Sequence, residues 1–496
     1  MKTAVVIGSG MGGLTSAVLL GMAGYRVTVY EQHYRPGGLL HRFFREASPY
    51  DTGFHYCGGV GPTDVLGRVL RHLGVYEHIQ FLPLDPDGFD RLLFPGFEFR
   101  VPVGVERYRA RLKQTFPHEA EGIDAFIADL LEAIGAYGLY ALRTEFDLLG
   151  FLRWEEVSLS TVIDRHIRDP RLKAVLCGQI ALYGVPPGQA PFGLHAVILH
   201  HFLAGANRIE GGGDRLAKVM VQRLKELGGT LRLRAEVVGV LVEGREAVGV
   251  ELADGTVQKA DMVVSNMHPR ALLPLLPSGA VRKAYYTRVT DQRVGVAHLG
   301  VYLRVDGPVP SIGNTNIYSH DGFDPEDTAL TITPDRVPFY YASAPGEGLV
   351  KRRSGSDVIL MLGSLDHSAV APYQNSRTGE RPPEYTALKD SLTRACVEAL
   401  YRDFPDLRGR VTRIESSTAL TTEHFTRSPN GAMYGHYHSV DQMGRYRPSQ
   451  LLRVRNLVQV GQGVFAPGVL GTALSAYYGL GFFLGIENLV RELRAA

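Results

Sequence analysis

Thr3-Ala4-Val5-Val6-Ile7-Gly8-Ser9-Gly10-Met11-Gly12-Gly13 is the stretch that decides the fold. The apolar, β-branched run at residues 3–7 predicts a strand, and the glycines predict a tight loop. Residues 14–23 predict a helix, which Gly24 ends. A second strand is expected at residues 26–30, with Glu31 at its end, 18 residues after Gly13. Strand, glycine loop, helix, strand and acid in this order make a dinucleotide-binding unit. Gly8 permits the turn, Gly10 lets the backbone approach a pyrophosphate, and Gly13 lets the helix pack on the strand. Gly12 stands in the same loop. Unpaired N–H groups at the helix N-terminus attract phosphate, and Glu31 can accept from ribose hydroxyls.

Outward from this unit, Pro36-Gly37-Gly38 follows the acid closely. Gly211-Gly212-Gly213 precedes a periodic helical segment at residues 216–227, which Gly228-Gly229 stops. Strands are expected at residues 230–234, 237–242, 247–252 and 260–265, with Asp254-Gly255 as a hairpin turn. Near the C-terminus a strand at residues 457–460 leads into Gly461-Gln462-Gly463 and Pro467-Gly468, then a helix from about Gly471. Its apolar residues 470–484 are interrupted by Gly471, Gly479 and Gly481, which suits a buried helix rather than a membrane span.

A chain of 496 residues suggests two or three domains. Lys plus Arg number 53 and Asp plus Glu 51, a net charge of +2, which argues against nucleic acid as a partner. Cys57, Cys177 and Cys396 are far apart, so neither a disulfide framework nor a zinc signature is expected. No metal site is expected, and no G-x-S-x-G of a serine hydrolase occurs. The N-terminus does not read as a signal peptide, and a cytoplasmic protein, peripheral to a membrane at most, is expected.

The Pro36-Gly37-Gly38 extension and the C-terminal motif resemble the glutathione-reductase-like FAD superfamily, which includes amine oxidases and carotenoid desaturases. Asp51-Thr52-Gly53-Phe54-His55-Tyr56 with Gly58-Gly59 narrows the resemblance to the phytoene-desaturase-related flavoproteins, in their retinol saturase and carotenoid isomerase branch. Gly37-Gly38-Leu39-Leu40-His41, the run from Gly205 to Gly213, Tyr434-Gly435 and Gly461-Gln462 resemble the same branch.

The resemblance implies an α/β fold: a glutathione-reductase-like FAD-binding Rossmann domain with an inserted α+β substrate domain. The FAD domain would be discontinuous, from residues 1–75, 205–270 and 445–496. Residues 76–204 and 271–444 would form the substrate domain. FAD contacts are expected at Gly8, Gly10, Gly12, Gly13, Glu31, Gly37, Gly38, His41, Val237, Val238, Gly461, Gln462 and Val469. For Val237 and Val238 the contact would be through backbone, and simple core packing is equally compatible. Gln462 stands where many relatives carry Asp.

The implied reaction adds or removes hydrogen across a C–C double bond of a lipophilic polyene. Isomerisation by reduced FAD, amine oxidation, and non-catalytic lipid binding remain as alternatives. Such chemistry needs a mainly apolar tunnel and few polar groups. Phe54, Phe192, Phe202, Tyr434 and Tyr437 are candidates for its wall, or for ordinary core. Tyr56 and His55 are the catalytic candidates: successive side chains of an extended chain face opposite ways, so Tyr56 is assigned to the substrate and His55 to the flavin. Packing at the domain edge is the alternative for both. His195, His200 and His201 have the wrong spacing for a metal pair, and a solvated or core-bonded role is expected. His436 and His438 border the substrate site or serve structure. No second dinucleotide unit occurs, so the electron partner is left open. Residues 137–154 are the candidate membrane-facing patch, with a buried helix pair as the other reading.

Overall fold

The computed structural model describes residues 1–46, 48–145, 147–327, 331–344 and 356–496. A five-stranded parallel sheet carries the glycine loop. Its strands are β1 (Thr3–Ile7), β2 (Arg26–Glu31), β3 (Thr230–Leu233), β4 (Met262–Ser265) and β5 (Leu457–Gln459), in the spatial order β3-β2-β1-β4-β5. The strands β1, β4 and β5 are buried on both faces, as parallel sheets require, whereas the edge strand β3 is mostly exposed. Ala4 and Val6 point to a core shared with three helices, α1 (Met11–Met22), α2 (Gly212–Glu226) and α3 (Gly468–Leu484). Val5 and Ile7 point the other way, against an antiparallel ribbon of Val237–Glu243, Glu246–Leu252 and Val257–Lys259. The two-residue period of β1 thus divides one short run between two cores.

The remaining chain builds a seven-stranded mixed sheet. Its spatial order is Val411–Ser417, Ala297–Asp306, Ser356–Leu365, Phe339–Ser343, Asn316–His320, Asp90–Phe94 and Phe97–Val101. Neither Phe339–Ser343 nor the hairpin at Asp90–Phe94 and Phe97–Val101 was expected from the sequence. The hairpin turns at Pro95-Gly96, where Gly96 has φ +68°. One face of the sheet, with Tyr302, Tyr318, Phe339 and Tyr341, packs against helices including Ala120–Ala136 and Phe192–Leu203. The opposite face, with Ile317, Tyr340, Ile359 and Met361, packs against the long helix Pro383–Asp403. Alternation along Asn316–His320 therefore aims Tyr318 at the helical layer and Ile317 away from it. Among the described residues no helix is long and apolar enough to cross a membrane.

Candidate active site

A cavity of about 480 Å³ runs from the glycine loop to the large sheet. That volume is in the range of small-molecule sites. At its nucleotide end it is walled by Gly8, Gly10, Gly12, Glu31, Gly37, Gly38, His41 and Val237, and further along by Gln462 and Val469. Of the other expected cofactor residues, Gly13 and Gly461 lie behind this wall. Val238 is 43% exposed and outside the wall, because its neighbour Val237 takes the core-facing position of the strand; the expected contact was through backbone and does not depend on that side chain.

The glycines are required by close approach. A Cβ on Gly10 or Gly12 would stand 2.7 or 2.6 Å from the amide of Asn266, and one on Gly461 2.6 Å from the same amide. Asn266, which follows β4, is thus the hub of the loop, and no sequence motif marked it. A Cβ on Gly13 would overlap the Gly8 carbonyl oxygen, which fixes how tightly α1 sits on β1. Gly8 and Gly37 have φ of +89° and +111°, conformations that other residues rarely take. Gly37 N–H donates to the Ser9 carbonyl at 3.1 Å, and a Cβ on Gly38 would meet Gly10 Cα at 3.3 Å. The two glycine pairs are therefore pressed together.

These residues fit FAD. Glu31 is buried, and its carboxylate accepts from Ser9 N–H at 2.8 Å, Ser9 Oγ at 2.7 Å and His33 N–H at 2.8 Å. Since a carboxylate offers about four acceptor sites, room remains for a ribose hydroxyl. The N-termini of α1 and α3 both reach the wall, and neither has a side-chain cap nor an acid in its first turn. Uncapped N–H groups of this kind suit a pyrophosphate and an electron-rich ring edge. His41 is held by the Gly38 carbonyl through Nδ1, and burial lowers its pKa.

At the other end the wall is aromatic and aliphatic: Phe54, Leu194, Ile198, Phe202, Phe339 and Tyr434 belong to it. Phe192 and Tyr437, expected here, do not. Phe192 is fully buried against Phe126 and Trp154, and Tyr437 lies under the Arg293 guanidinium. His436 and His438 are also outside the wall; they hold their own loop, through the Gln442 carbonyl at 3.0 Å and the Tyr434 carbonyl at 3.1 Å. The three helical histidines are bonded within the protein: His195 to Tyr183 at 3.0 Å, His200 to Tyr140 at 2.7 Å, and His201 accepting from Gly58 N–H at 3.3 Å.

Tyr56 and His55 both belong to the wall. His55 is half-buried with both ring nitrogens shielded and without a hydrogen bond of good geometry, and burial brings its pKa down to about 3. His298 Nδ1 is similarly without a partner, and burial brings that ring down to about 4. Both rings are thus neutral polar groups available to a ligand, because an unpaired buried nitrogen is costly to leave unmet. The Tyr56 hydroxyl donates to Asp90 Oδ2 at 3.0 Å and lies 2.7 Å from the Tyr318 hydroxyl. Asp90, Tyr318, Tyr341 and Arg208 complete a buried polar cluster that the sequence did not reveal.

The family model described as "Flavin containing amine oxidoreductase" matches residues 11–476. The all-trans-retinol 13,14-reductase of Rattus norvegicus is 28% identical, over 99% of this chain and 87% of its own. The neurosporene-forming phytoene desaturase of Cereibacter sphaeroides is 26% identical, over 95% of this chain and 93% of its own. Among solved structures, an oxidoreductase from Methanosarcina mazei superposes with a TM-score of 0.67 at 18% identity, covering 96% of this chain and 99% of that one.

Proposed function

The chain belongs to the flavin containing amine oxidoreductase family, and on that premise we propose that it is an FAD-dependent oxidoreductase moving hydrogen across a C–C bond of a lipophilic polyene. The observation that carries this reading is the single cavity wall that joins the glycine cradle to an apolar, aromatic chamber. The names of its relatives, a retinol reductase and a phytoene desaturase, point to the same substrate class.

Gly8, Gly10, Gly12, Glu31, Gly37, Gly38, His41, Val237, Asn266, Gln462 and Val469 would hold FAD. Bound there, FAD supplies two-electron hydride chemistry at its ring nitrogen N5. The chain supplies the rest. Phe54, Phe202 and Tyr434 exclude water and hold an extended apolar molecule by contact area. His55, neutral and unpaired, offers one donor and one acceptor to the flavin side. Tyr56 stands on the substrate side, its hydroxyl part of the hydrogen-bonded group that would supply or accept a proton. No carboxylate or charged amine is needed to bind a substrate without charge.

A lipophilic substrate also has to reach the chamber. Residues 137–140 and Phe151 belong to the wall, while Leu148 and Leu149 beside them are 52% and 81% exposed. Tyr478 of the wall packs edge-to-face with Phe482, which is 59% exposed. With the exposed Arg143 and Arg153 nearby in sequence, this surface suits shallow contact with a bilayer. The described residues of 137–154 thus include both wall and surface side chains, while Trp154 is core.

Anaerobic mixing tests the proposal. Protein whose flavin has been reduced is mixed with carotenoids, retinoids or primary amines, and flavin absorbance is followed; the oxidised protein is mixed in parallel. Polyenes should oxidise the reduced flavin or reduce the oxidised flavin, and amines should do neither. Reduction by amines with no response to polyenes would overturn the reading.

A further inference from the structure

We propose that Asp90, Tyr56 and Tyr318 form a three-member proton relay that opens on the substrate chamber at the Tyr318 hydroxyl. The inference rests on the oxidoreductase reading above and names how its proton is moved. Tyr56 and Tyr318 are both wall residues, whereas Asp90 lies behind them with no exposed surface.

The geometry is continuous. Asp90 Oδ2 is 3.0 Å from the Tyr56 hydroxyl, which is 2.7 Å from the Tyr318 hydroxyl. Two amides hold the carboxyl group as well: Asn316 Nδ2 donates to Oδ1 at 2.8 Å, and Gln179 Nε2 donates to Oδ2, the oxygen that also faces Tyr56, at 2.5 Å. Arg208 backs the cluster. Its guanidinium donates to Asn316 Oδ1 at 3.3 Å, Ser343 Oγ at 3.0 Å and the Thr315 carbonyl at 3.0 Å. Tyr341 also donates to Asn316 Oδ1, at 3.1 Å. Three strands of the large sheet thus converge on a carboxyl group that makes no ion pair among the described residues.

A phenol alone would be a poor proton source here. Burial pushes Tyr56 and Tyr318 well above the usual phenol value, so a free tyrosinate is disfavoured. A charge can rest on Asp90, whose two oxygens already face N–H donors. Burial raises Asp90 to about 7, against the hydrogen bonds from Asn316, Gln179 and Tyr56 and the nearby Arg208, which act to lower it. The groups facing it are Tyr56, Tyr318, Tyr341 and Arg208, with His55 beyond. Burial holds the phenols above neutrality and His55 far below it, and Arg208 stays cationic. Near neutral pH, Asp90 is the member that titrates.

The wire has two polarities. With Asp90 ionised, Tyr318 donates to Tyr56 and Tyr56 to the carboxylate, so both protons point away from the chamber. With Asp90 protonated, the carboxyl group donates to Tyr56, Tyr56 to Tyr318, and Tyr318 presents its proton to the substrate. With FAD bound and reduced, saturation would draw the hydride for one alkene carbon from the flavin. The neighbouring carbon takes the Tyr318 proton as the π bond breaks. Tyr318 is refilled from Tyr56 and Tyr56 from Asp90, leaving one carboxylate. Water entering the chamber after product release returns that proton along the same wire. Desaturation runs every transfer in reverse and needs Asp90 ionised at the start.

The test uses holoenzyme, wild type and the variants Tyr318→Phe and Asp90→Asn. Infrared difference spectra with ¹³C-aspartate labelling should show a protonated carboxyl band in the wild type that titrates near pH 7. The band should persist in Tyr318→Phe and vanish in Asp90→Asn. In single-turnover reaction with a polyene, the wild-type rate should change about tenfold per pH unit above pH 7 for saturation, falling as pH rises, or below pH 7 for desaturation, rising with pH. Tyr318→Phe should lose about 100-fold, and Asp90→Asn should lose the pH dependence. A carboxyl band titrating only in the ordinary acid range overturns the relay, as does an Asp90→Asn enzyme with the wild-type pH profile. If no polyene reacts at all, the function is wrong, while the infrared titration still decides the state of Asp90.

Discussion

Gly13→Ala is expected to strip the protein of FAD while leaving most of the fold intact. The added Cβ would fall about 1 Å inside the closest approach that real Cβ atoms show, against the Gly8 carbonyl oxygen. That oxygen belongs to backbone whose own N–H is bonded to Tyr30 at 2.8 Å, so it cannot yield cheaply. The N-terminus of α1 has to retreat instead. Overpacking of this kind costs about 1–3 kcal/mol in stability. A retreat of about 1 Å also breaks the short hydrogen bonds by which a helix N-terminus holds phosphate. Two such charge-assisted bonds, at about 1.5–3 kcal/mol each, are worth roughly a hundred- to ten-thousand-fold in affinity. The assay is FAD titration of apoprotein by quenching of flavin fluorescence, with circular dichroism to check the fold. A folded Gly13→Ala protein that binds FAD within threefold of wild type would refute the cradle.

Three further outcomes follow from named groups. His55→Ala and Tyr56→Phe should each retain FAD, and Tyr56→Phe should lose about 100-fold in turnover; wild-type rates in both would remove these residues from the chemistry. Asp90 keeps its proton to about pH 7 in the native state, while an unfolded aspartate loses it near pH 4. Native stability therefore falls as pH rises from about 4 to 7, by up to about 4 kcal/mol if the whole difference is expressed. The melting temperature of Asp90→Asn relative to wild type should rise between pH 5 and pH 8, and a constant difference would contradict the assignment. Finally, Leu148→Ser with Leu149→Ser should reduce sedimentation with anionic liposomes several-fold without altering FAD content; equal sedimentation would move the membrane surface elsewhere.

The nucleotide half of the molecule was legible because its signals are local. A glycine loop after Thr3–Ile7 and an acid at the end of β2 specify a cradle from neighbouring residues alone. What the loop closes on was not legible: Asn266 is an ordinary residue after a strand, and only the parallel pairing of β1 with β4 brings it to Gly10 and Gly12. The Val238 side chain turns outward because strand alternation gives the inward position to Val237, which leaves the expected backbone contact untouched. The Asp90–Phe94 and Phe97–Val101 hairpin had a readable signal, alternating aromatics around Pro95-Gly96, and its omission hid Asp90. The partnership of Asp90 with Tyr56 and Tyr318 had none, since it joins residues 34 and 262 positions apart from Tyr56. Phe192 and Tyr437 show the same limit: an aromatic residue near a site in sequence does not carry the information on which core its ring enters.

The mass of the product tests the central claim most directly. Protein reduced anaerobically is incubated with all-trans polyenes, protein with oxidised flavin is incubated in parallel, and the extracted lipids are weighed by mass spectrometry. The account predicts that at least one polyene gains two hydrogens from the reduced protein or loses two to the oxidised protein, in an amount matching the flavin consumed. Polyenes recovered with unchanged mass but altered double-bond geometry, or no conversion in either state, would contradict it.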